Sequence, residues 1–176
     1  MRNLLYILTV LLLLIPGCKG GKDIPLSGTV TIDNTIYGTT NFYGLGFNFT
    51  VAKTVSTIGN PEPDITVEEG IIYGGTVEKA FFSANTLTPP FALYGTYSTE
   101  NEAIAAFEAL TSFGTMTWIN FGSPLEVNQI WIVLTREGNY AKVRVKEVVL
   151  DTEENYASCT FEWAFQPDGT KTFPSK

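Results

Sequence analysis

The 176-residue sequence contains no histidine. Histidine is the commonest general base near neutral pH and the commonest metal ligand in proteins. Its absence excludes Ser-His-Asp and Cys-His catalysis, and it excludes zinc sites built on an HExxH helix. Among hydrolytic mechanisms, a pair of carboxylates remains open to this chain.

Cysteine is almost as scarce, because the chain has only Cys18 and Cys159. Cys159 opens the strand-like stretch Cys159-Thr160-Phe161-Glu162-Trp163, where no basic neighbour is present to activate a thiolate. We therefore expect Cys159 to be a small, buried, apolar residue rather than a nucleophile.

Basic residues are few, with 11 Lys and Arg against 18 Asp and Glu, so the formal net charge is −7. Binding to nucleic acid needs clustered Lys and Arg against the phosphates. An acidic domain is also repelled by an anionic lipid surface. The composition therefore predicts no nucleic-acid partner.

One long apolar run is present, over residues 4–15, preceded by Arg2. A membrane-spanning helix needs about 20 apolar residues, so this run favours a secretory signal. The following Ile15-Pro16-Gly17-Cys18 resembles the lipobox of bacterial lipoproteins. That resemblance implies that Cys18 carries acyl chains such as palmitate and is the first mature residue. The alternative is an ordinary secretory signal that ends near a cysteine.

These features predict three regions. Residues 1–17 form a lipoprotein signal peptide, residues 18–25 form the lipidated cysteine and a flexible Gly-rich tether, and residues 26–176 form a single β-rich domain. We expect the chain to be lipid-anchored at the outer membrane, either periplasmic or surface-exposed. Two or more acyl chains hold a domain firmly, since each buried CH₂ contributes about 0.8 kcal/mol.

Runs rich in β-branched and aromatic residues predict the strands. They cover residues 29–37, 44–52, 65–73, 77–82, 91–97, 129–135, 140–149, 159–165 and 170–173. Residues 44–52 alternate so regularly that we expect one buried face and one polar face there.

One helix is predicted at about residues 99–112, because Thr99 and Glu102 have the spacing of a capping box. The expected fold is mainly β, an antiparallel β sandwich or packed sheets with one short α-helix.

Three sets of side chains are candidates for a site. Lys142, Arg144 and Lys146 project from one face of a predicted strand at steps of about 6.5–7 Å, with Arg136 nearby. They form either an anion-binding stripe or a solvated charged face. The acidic set is either a Ca²⁺ site or a charged turn. Its members are Glu62, Asp64, Glu68 and Glu69.

The aromatic residues form the third set. Trp131 and Trp163 lie in strong strand patterns, so we expect both in the core. Trp118 is the better candidate for exposure, and with Tyr140 it could stack on a sugar or a porphyrin.

Two C-terminal segments resemble Bacteroidota cell-envelope lipoproteins. The first is Asn128-Gln129-Ile130-Trp131 continuing through Thr135-Arg136-Glu137-Gly138-Asn139-Tyr140-Ala141-Lys142-Val143. The second is Thr160-Phe161-Glu162-Trp163-Ala164-Phe165-Gln166-Pro167-Asp168-Gly169 with Thr172-Phe173. Both are similar to the closing strands of HmuY-type haem-binding lipoproteins.

The HmuY resemblance implies a mainly β fold on the cell envelope. Proteins of that type bind haem through two histidines, or through methionine in some relatives, and pass it to an outer-membrane receptor. This chain has no histidine, and its one methionine beyond the predicted signal is Met116. The resemblance therefore implies the fold and the location, and it leaves haem capture as an alternative.

The leading prediction is a lipid-anchored envelope binding or interaction module without catalysis and without a resident cofactor. Its partners would be the membrane, through the anchor, and an envelope protein, a glycan or a tetrapyrrole. Three alternatives stay open: HmuY-like haem or porphyrin capture without His ligation, a carboxylate-dependent glycan-active enzyme, and a purely structural lipoprotein. The candidate ligand-binding residues are Met116, Trp118, Tyr140, Lys142, Arg144 and Lys146.

Overall fold

The computed structural model describes residues 24–37, 44–71 and 78–173. The predicted signal peptide, Cys18 and most of the predicted tether lie outside the described residues. Within the described ranges there are nine strands and one helix. They are β1 (Ser27–Asp33), β2 (Leu45–Asn48), β3 (Lys53–Ser56), β4 (Thr66–Gly70), β5 (Lys79–Ser83), β6 (Phe91–Thr96), α1 (Glu100–Ala109), β7 (Gln129–Leu134), β8 (Tyr140–Asp151) and β9 (Tyr156–Gln166).

The strands form antiparallel sheets, as the sequence predicts. Five strands pair in the order β1-β9-β8-β7-β6, and β2–β3 and β4–β5 are separate hairpins. The fold is therefore mainly β with a single short helix among the described residues, and this expectation is confirmed.

The two hairpins cover one face of the five-stranded sheet and enclose an aromatic core. Trp131 and Trp163 are buried there, as predicted, and the ring centroids of Trp163 and Phe47 are 5.1 Å apart. Cys159 is buried in the same core, which confirms its predicted structural role. Helix α1 lies on the opposite face, where Phe107 packs against Ile130 and its neighbours.

The helix begins where the capping box predicts. The backbone N–H of Glu102 donates to the Thr99 hydroxyl at 3.3 Å, and the N–H of Thr99 donates to the Glu102 carboxylate at 3.1 Å. The two bonds satisfy amides that have no partner within the helix. The helix ends at Ala109, before the predicted residue 112, because Leu110 has left helical geometry with φ −74° and ψ 85°.

The single strand predicted over residues 44–52 is wrong. The chain turns at residues 49–52 and returns as β3, with Ala52 at a φ of 51°. The predicted polar face is also wrong, because Gly46 and Asn48 are buried beneath the following segment. A Cβ at Gly46 would lie 2.4 Å from the carbonyl oxygen of Ile65, so only glycine allows this approach.

The predicted strand at residues 170–173 is also absent, since an isolated bridge between Ser112 and Thr172 is all the pairing that segment has.

The two ends of the five-stranded sheet can be named from the first and last residues of strand β1. Its first residue, Ser27, lies opposite Ala164, and its last residue, Asp33, lies opposite Ser158. The turn between β8 and β9, residues 152–155, is at the same end as Asp33. We call this the Asp33 end and the opposite one the Ser27 end. At about 3.3 Å per residue, β1 separates them by about 20 Å.

Candidate functional site

A cleft opens at the Asp33 end of the sheet. Its volume is about 890 Å³. It is lined by the end of β1 and the residues after it, by the β8–β9 turn, by β4 and by the start of β2. The antiparallel order of the five-stranded sheet brings the end of β1 and the β8–β9 turn together, and the packing of the two hairpins on that sheet adds β2 and β4.

Among the described residues that line the cleft there are five carboxylates and no Lys or Arg. The five are Asp33, Glu68, Glu69, Asp151 and Glu154. Asn34, Asn155, Tyr156, three threonines, Ile36 and Leu45 complete most of the wall. Like charges converging on one concave surface create a negative potential that attracts cations and repels anions.

Glu68 and Glu69 have unusual environments within this wall. Burial raises the pKa of the Glu68 carboxyl above its usual value, and a hydrogen bond with Thr66 partly offsets that rise. The Oε2 atom of Glu69 is shielded from solvent and accepts no hydrogen bond. A carboxylate oxygen in this state retains an unused capacity to accept a donor.

The four acids proposed as a calcium site are not brought together. Glu68 and Glu69 line the cleft, whereas Glu62 pairs with Arg136, with an N–O distance of 3.0 Å. Among the described residues, no group of three His, Cys, Asp or Glu side chains has an arrangement that could hold a metal ion.

Asp64, the fourth member, links two turns of the chain. Its carboxylate accepts the N–H of Phe49 at 2.8 Å and the N–H of Arg136 at 3.0 Å. Burial raises the pKa of Asp64 above its usual value, and the two backbone N–H groups oppose that rise. Asp64 therefore joins the turn after β2 to the turn after β7, and its oxygens are occupied by that structural role.

Lys142 and Arg144 are buried, so the predicted stripe is neither a solvated face nor an open anion site at these positions. The predicted alternation of the strand is correct, because Ala141, Val143 and Val145 face the aromatic core. The opposite face was expected to meet solvent, but helix α1 covers it.

The buried charge of Lys142 is used at the end of the helix. Its Nζ donates to the carbonyl oxygens of Phe107 at 2.6 Å and Leu110 at 2.8 Å, and it lies 4.5 Å from the ring centroid of Phe107. The last carbonyls of a helix have no partner within it. A lysine from the sheet therefore caps the C-terminus of α1.

Arg144 is paired within the same layer. Its Nε and Nη2 atoms donate to one oxygen of Glu162, at 3.1 and 2.8 Å, and its Nη1 is 3.7 Å from the Glu100 carboxylate. Lys146 alone of the three is exposed, and it lies at a β-bulge between Val145 and Glu147.

The structure brings Met116, Trp118 and Tyr140 into one neighbourhood. All three are half-buried against the cluster beneath the helix. The ring centroids of Trp118 and Tyr140 are 6.2 Å apart, and Phe113 is 5.0 Å from Tyr140. Trp118 is thus less exposed than the sequence indicated. Lys171 contributes a cation 5.6 Å from the Phe113 ring.

Three acids of the cleft were missed by sequence reasoning, namely Asp33, Asp151 and Glu154. Each lies at the end of a strand or in the turn that follows. Acids at such positions usually serve turns, and Asp151 does accept the N–H groups of Glu153 and Glu154, at 3.1 and 3.2 Å. Their shared location follows from strand order, which a single sequence does not reveal.

A comparison with protein-family models finds no match to this chain. A comparison with curated proteins finds no match either. Among the described residues, no helix is long and apolar enough to cross a bilayer.

Proposed function

We propose that this chain is a lipid-anchored binding module of a bacterial envelope, without catalysis, and that the cleft at the Asp33 end is its ligand site. The observation that carries the proposal is the position of the cleft. The chain enters the sheet at the Ser27 end, and the cleft lies at the opposite end of β1. An anchor attached before residue 24 therefore joins the domain at the end remote from the cleft and leaves the cleft open to a ligand.

The size of the cleft supports ligand binding. Ligand sites in proteins are typically clefts of about 300–1,000 Å³, and about 890 Å³ falls inside that range. The wall is polar, and its side chains come from several elements, two of them β-strand ends held in the five-stranded sheet. Such a scaffold holds the wall in place before the ligand arrives, which limits the entropy lost on binding.

The anchor is tested by metabolic labelling with a palmitate analogue. The wild-type chain should incorporate the label, and Cys18→Ala should not. Protease treatment of intact cells then distinguishes a surface location from a periplasmic one. Equal labelling of both chains would overturn the lipid anchor at Cys18.

The cleft is tested by blocking it. Ile36 lines the cleft and is 59% exposed, so Ile36→Trp should fill the opening without disturbing the core. Leu87→Trp is the matched control, because Leu87 is fully exposed and does not line the cleft. Full-length chain in detergent is immobilised and exposed to an envelope extract.

We expect wild type and the Leu87 control to retain the same component and Ile36→Trp to lose it. If all three chains retain the component, the cleft is not the binding site. Retention by none would overturn the binding function.

A carboxylate-dependent glycan-active enzyme is a second candidate, favoured by one observation. Glycoside hydrolysis uses two carboxyls across a cleft, one with a raised pKa, and Glu68 supplies such a group here. Incubation of the chain with chromogenic glycosides tests it. Turnover lost in Glu68→Gln would support catalysis, and no turnover by wild type would dismiss it.

Tetrapyrrole capture is a third candidate, supported by the aromatic neighbourhood of Trp118 and Tyr140. Half-buried Met116 lies there as a soft ligand, and Lys171 offers a cation for a propionate. A haem titration in both redox states tests it. A saturable Soret shift that is lost in Met116→Ala would support it, and a flat titration would dismiss it.

A further inference from the structure

The charge of the cleft restricts the ligands that it can take. Five carboxylates line it, and no Lys or Arg is present in the part of its lining that the structure describes. A concave wall of one charge concentrates its potential, so it repels phosphate and carboxylate ligands and attracts cations. Ligand recognition at this site must therefore come from groups that donate hydrogen bonds or carry positive charge.

An unused acceptor in the wall points the same way. Oε2 of Glu69 is shielded from solvent and accepts no hydrogen bond. An ionised carboxylate has acceptor sites only, and a shielded acceptor without a donor is unfavourable. Because this oxygen is shielded, a charged N–H donor of a ligand satisfies it only when the Glu69 side chain turns toward the cleft.

The carboxylates are spread around the cleft, and this arrangement favours a ligand with separated positive groups over a single compact cation. The carboxylates come from β1, β4 and the β8–β9 hairpin, on different sides of the cleft. Among the described residues, no three of them have an arrangement that could hold a metal ion. Several separated positive groups match this wall better than one divalent cation.

Resting on the function proposed above, we propose that the cleft binds a ligand carrying two or more separated ammonium groups. A polyamine and a lysine-rich peptide segment share this chemistry. Each ammonium group meets a different part of the wall, and the apolar lining residues Ile36 and Leu45 suit the methylene groups between them.

The test is calorimetric titration of full-length chain in neutral detergent. The probes are spermine, a tetralysine peptide, and the same peptide with every side-chain amine acetylated. We expect saturable one-to-one binding of spermine or tetralysine, weakened by added salt, and none of the acetylated peptide. The tighter of the two cationic probes identifies the source.

Two double variants distinguish binding at the cleft from non-specific attraction of a cationic probe to an acidic protein. Glu68→Gln with Glu69→Gln should weaken binding at least tenfold. Glu108→Gln with Glu126→Gln removes the same charge from exposed positions outside the cleft and should leave binding within about twofold. Glu154→Gln, at an exposed turn position, is a second cleft variant that leaves buried packing intact.

Equal weakening by both double variants would overturn the proposal, as would binding of the acetylated peptide or of no probe. Failure of the cationic-ligand proposal can be distinguished from failure of the proposed binding function. If the envelope component is retained by wild type and lost in Ile36→Trp while both cationic probes fail, the cleft is a binding site for a ligand of other chemistry.

Discussion

Lys142 reaches from strand β8 to the end of helix α1, where its Nζ lies 2.8 Å from the carbonyl oxygen of Leu110. The helix has no basic residue in its own last turn, so the sheet supplies the cation that the helix dipole favours. The side chain is buried. Its Nζ atom lies 4.5 Å from the ring centroid of Phe107 and 5.5 Å from that of Phe173, and both distances are within the range of a cation–π contact. Lys142 therefore joins the helix to the sheet.

We expect Lys142→Met to lower the free energy of unfolding by about 1–3 kcal/mol. The aliphatic length is retained, but two buried carbonyl oxygens lose their donor. Urea denaturation measures the loss. Lys146→Met is the control, because Lys146 is exposed on the same strand, and its effect should stay within about 0.5 kcal/mol. Equal effects would contradict the capping role.

Glu162→Gln should destabilise the fold more than Glu100→Gln. Arg144 is 4% exposed at its side chain, so losing the Glu162 charge at 2.8 Å leaves a buried guanidinium poorly compensated, at a cost of about 2 kcal/mol. Glu100 is 66% exposed and 3.7 Å away, and its loss should cost less than about 0.5 kcal/mol. Thermal and urea unfolding of the two variants compare them. A larger loss for Glu100→Gln would refute this ranking.

Acid should stabilise the wild-type chain relative to Glu68→Gln. Burial raises the folded-state pKa of Glu68 above the ordinary value of 4.5, so the folded state binds this proton more tightly than the unfolded state. The contribution of Glu68 to stability therefore rises as pH falls through the folded pKa, and it is complete below 4.5.

The measurement for Glu68 is urea denaturation of both chains from about pH 7 to about pH 4.5. The difference in unfolding free energy, wild type minus variant, should increase toward the acid end. Parallel curves for the two chains would show that Glu68 does not contribute to the pH dependence.

Cys159 should be unreactive in the native protein. Burial raises the pKa of its thiol, and the residue is fully enclosed in the aromatic core. In a Cys18→Ala chain, we expect Ellman's reagent to label no thiol under native conditions and one thiol after denaturation. Rapid labelling of the native chain would contradict this burial.

The sequence predicts those parts of the fold that depend on local chemistry. The capping box at Thr99, the burial of Trp131 and Trp163, and the alternation along β8 are all confirmed. The turn at residues 49–52 was missed because Ala52, at a φ of 51°, carries none of the usual Gly or Asn signals.

The candidate site was less predictable, for two physical reasons. The environment of Lys142 depends on where α1 docks, and period-2 alternation does not say which face a helix covers. Strand order in the five-stranded sheet brings Asp33 and Asp151 to one end, and the packing of the β4–β5 hairpin on that sheet adds Glu68. None of the six candidate ligand-binding residues lines the cleft, although Glu68 and Glu69 of the predicted calcium set do.

The pairing of the first strand of the sheet with the last has a consequence for biosynthesis. Ser27 lies opposite Ala164, so β1 has no partner until β9 has left the ribosome. Contacts this distant in sequence also make folding slow. Strand β1 therefore joins the five-stranded sheet only after β9 has been synthesised, whereas β6, β7 and β8 can pair before that point.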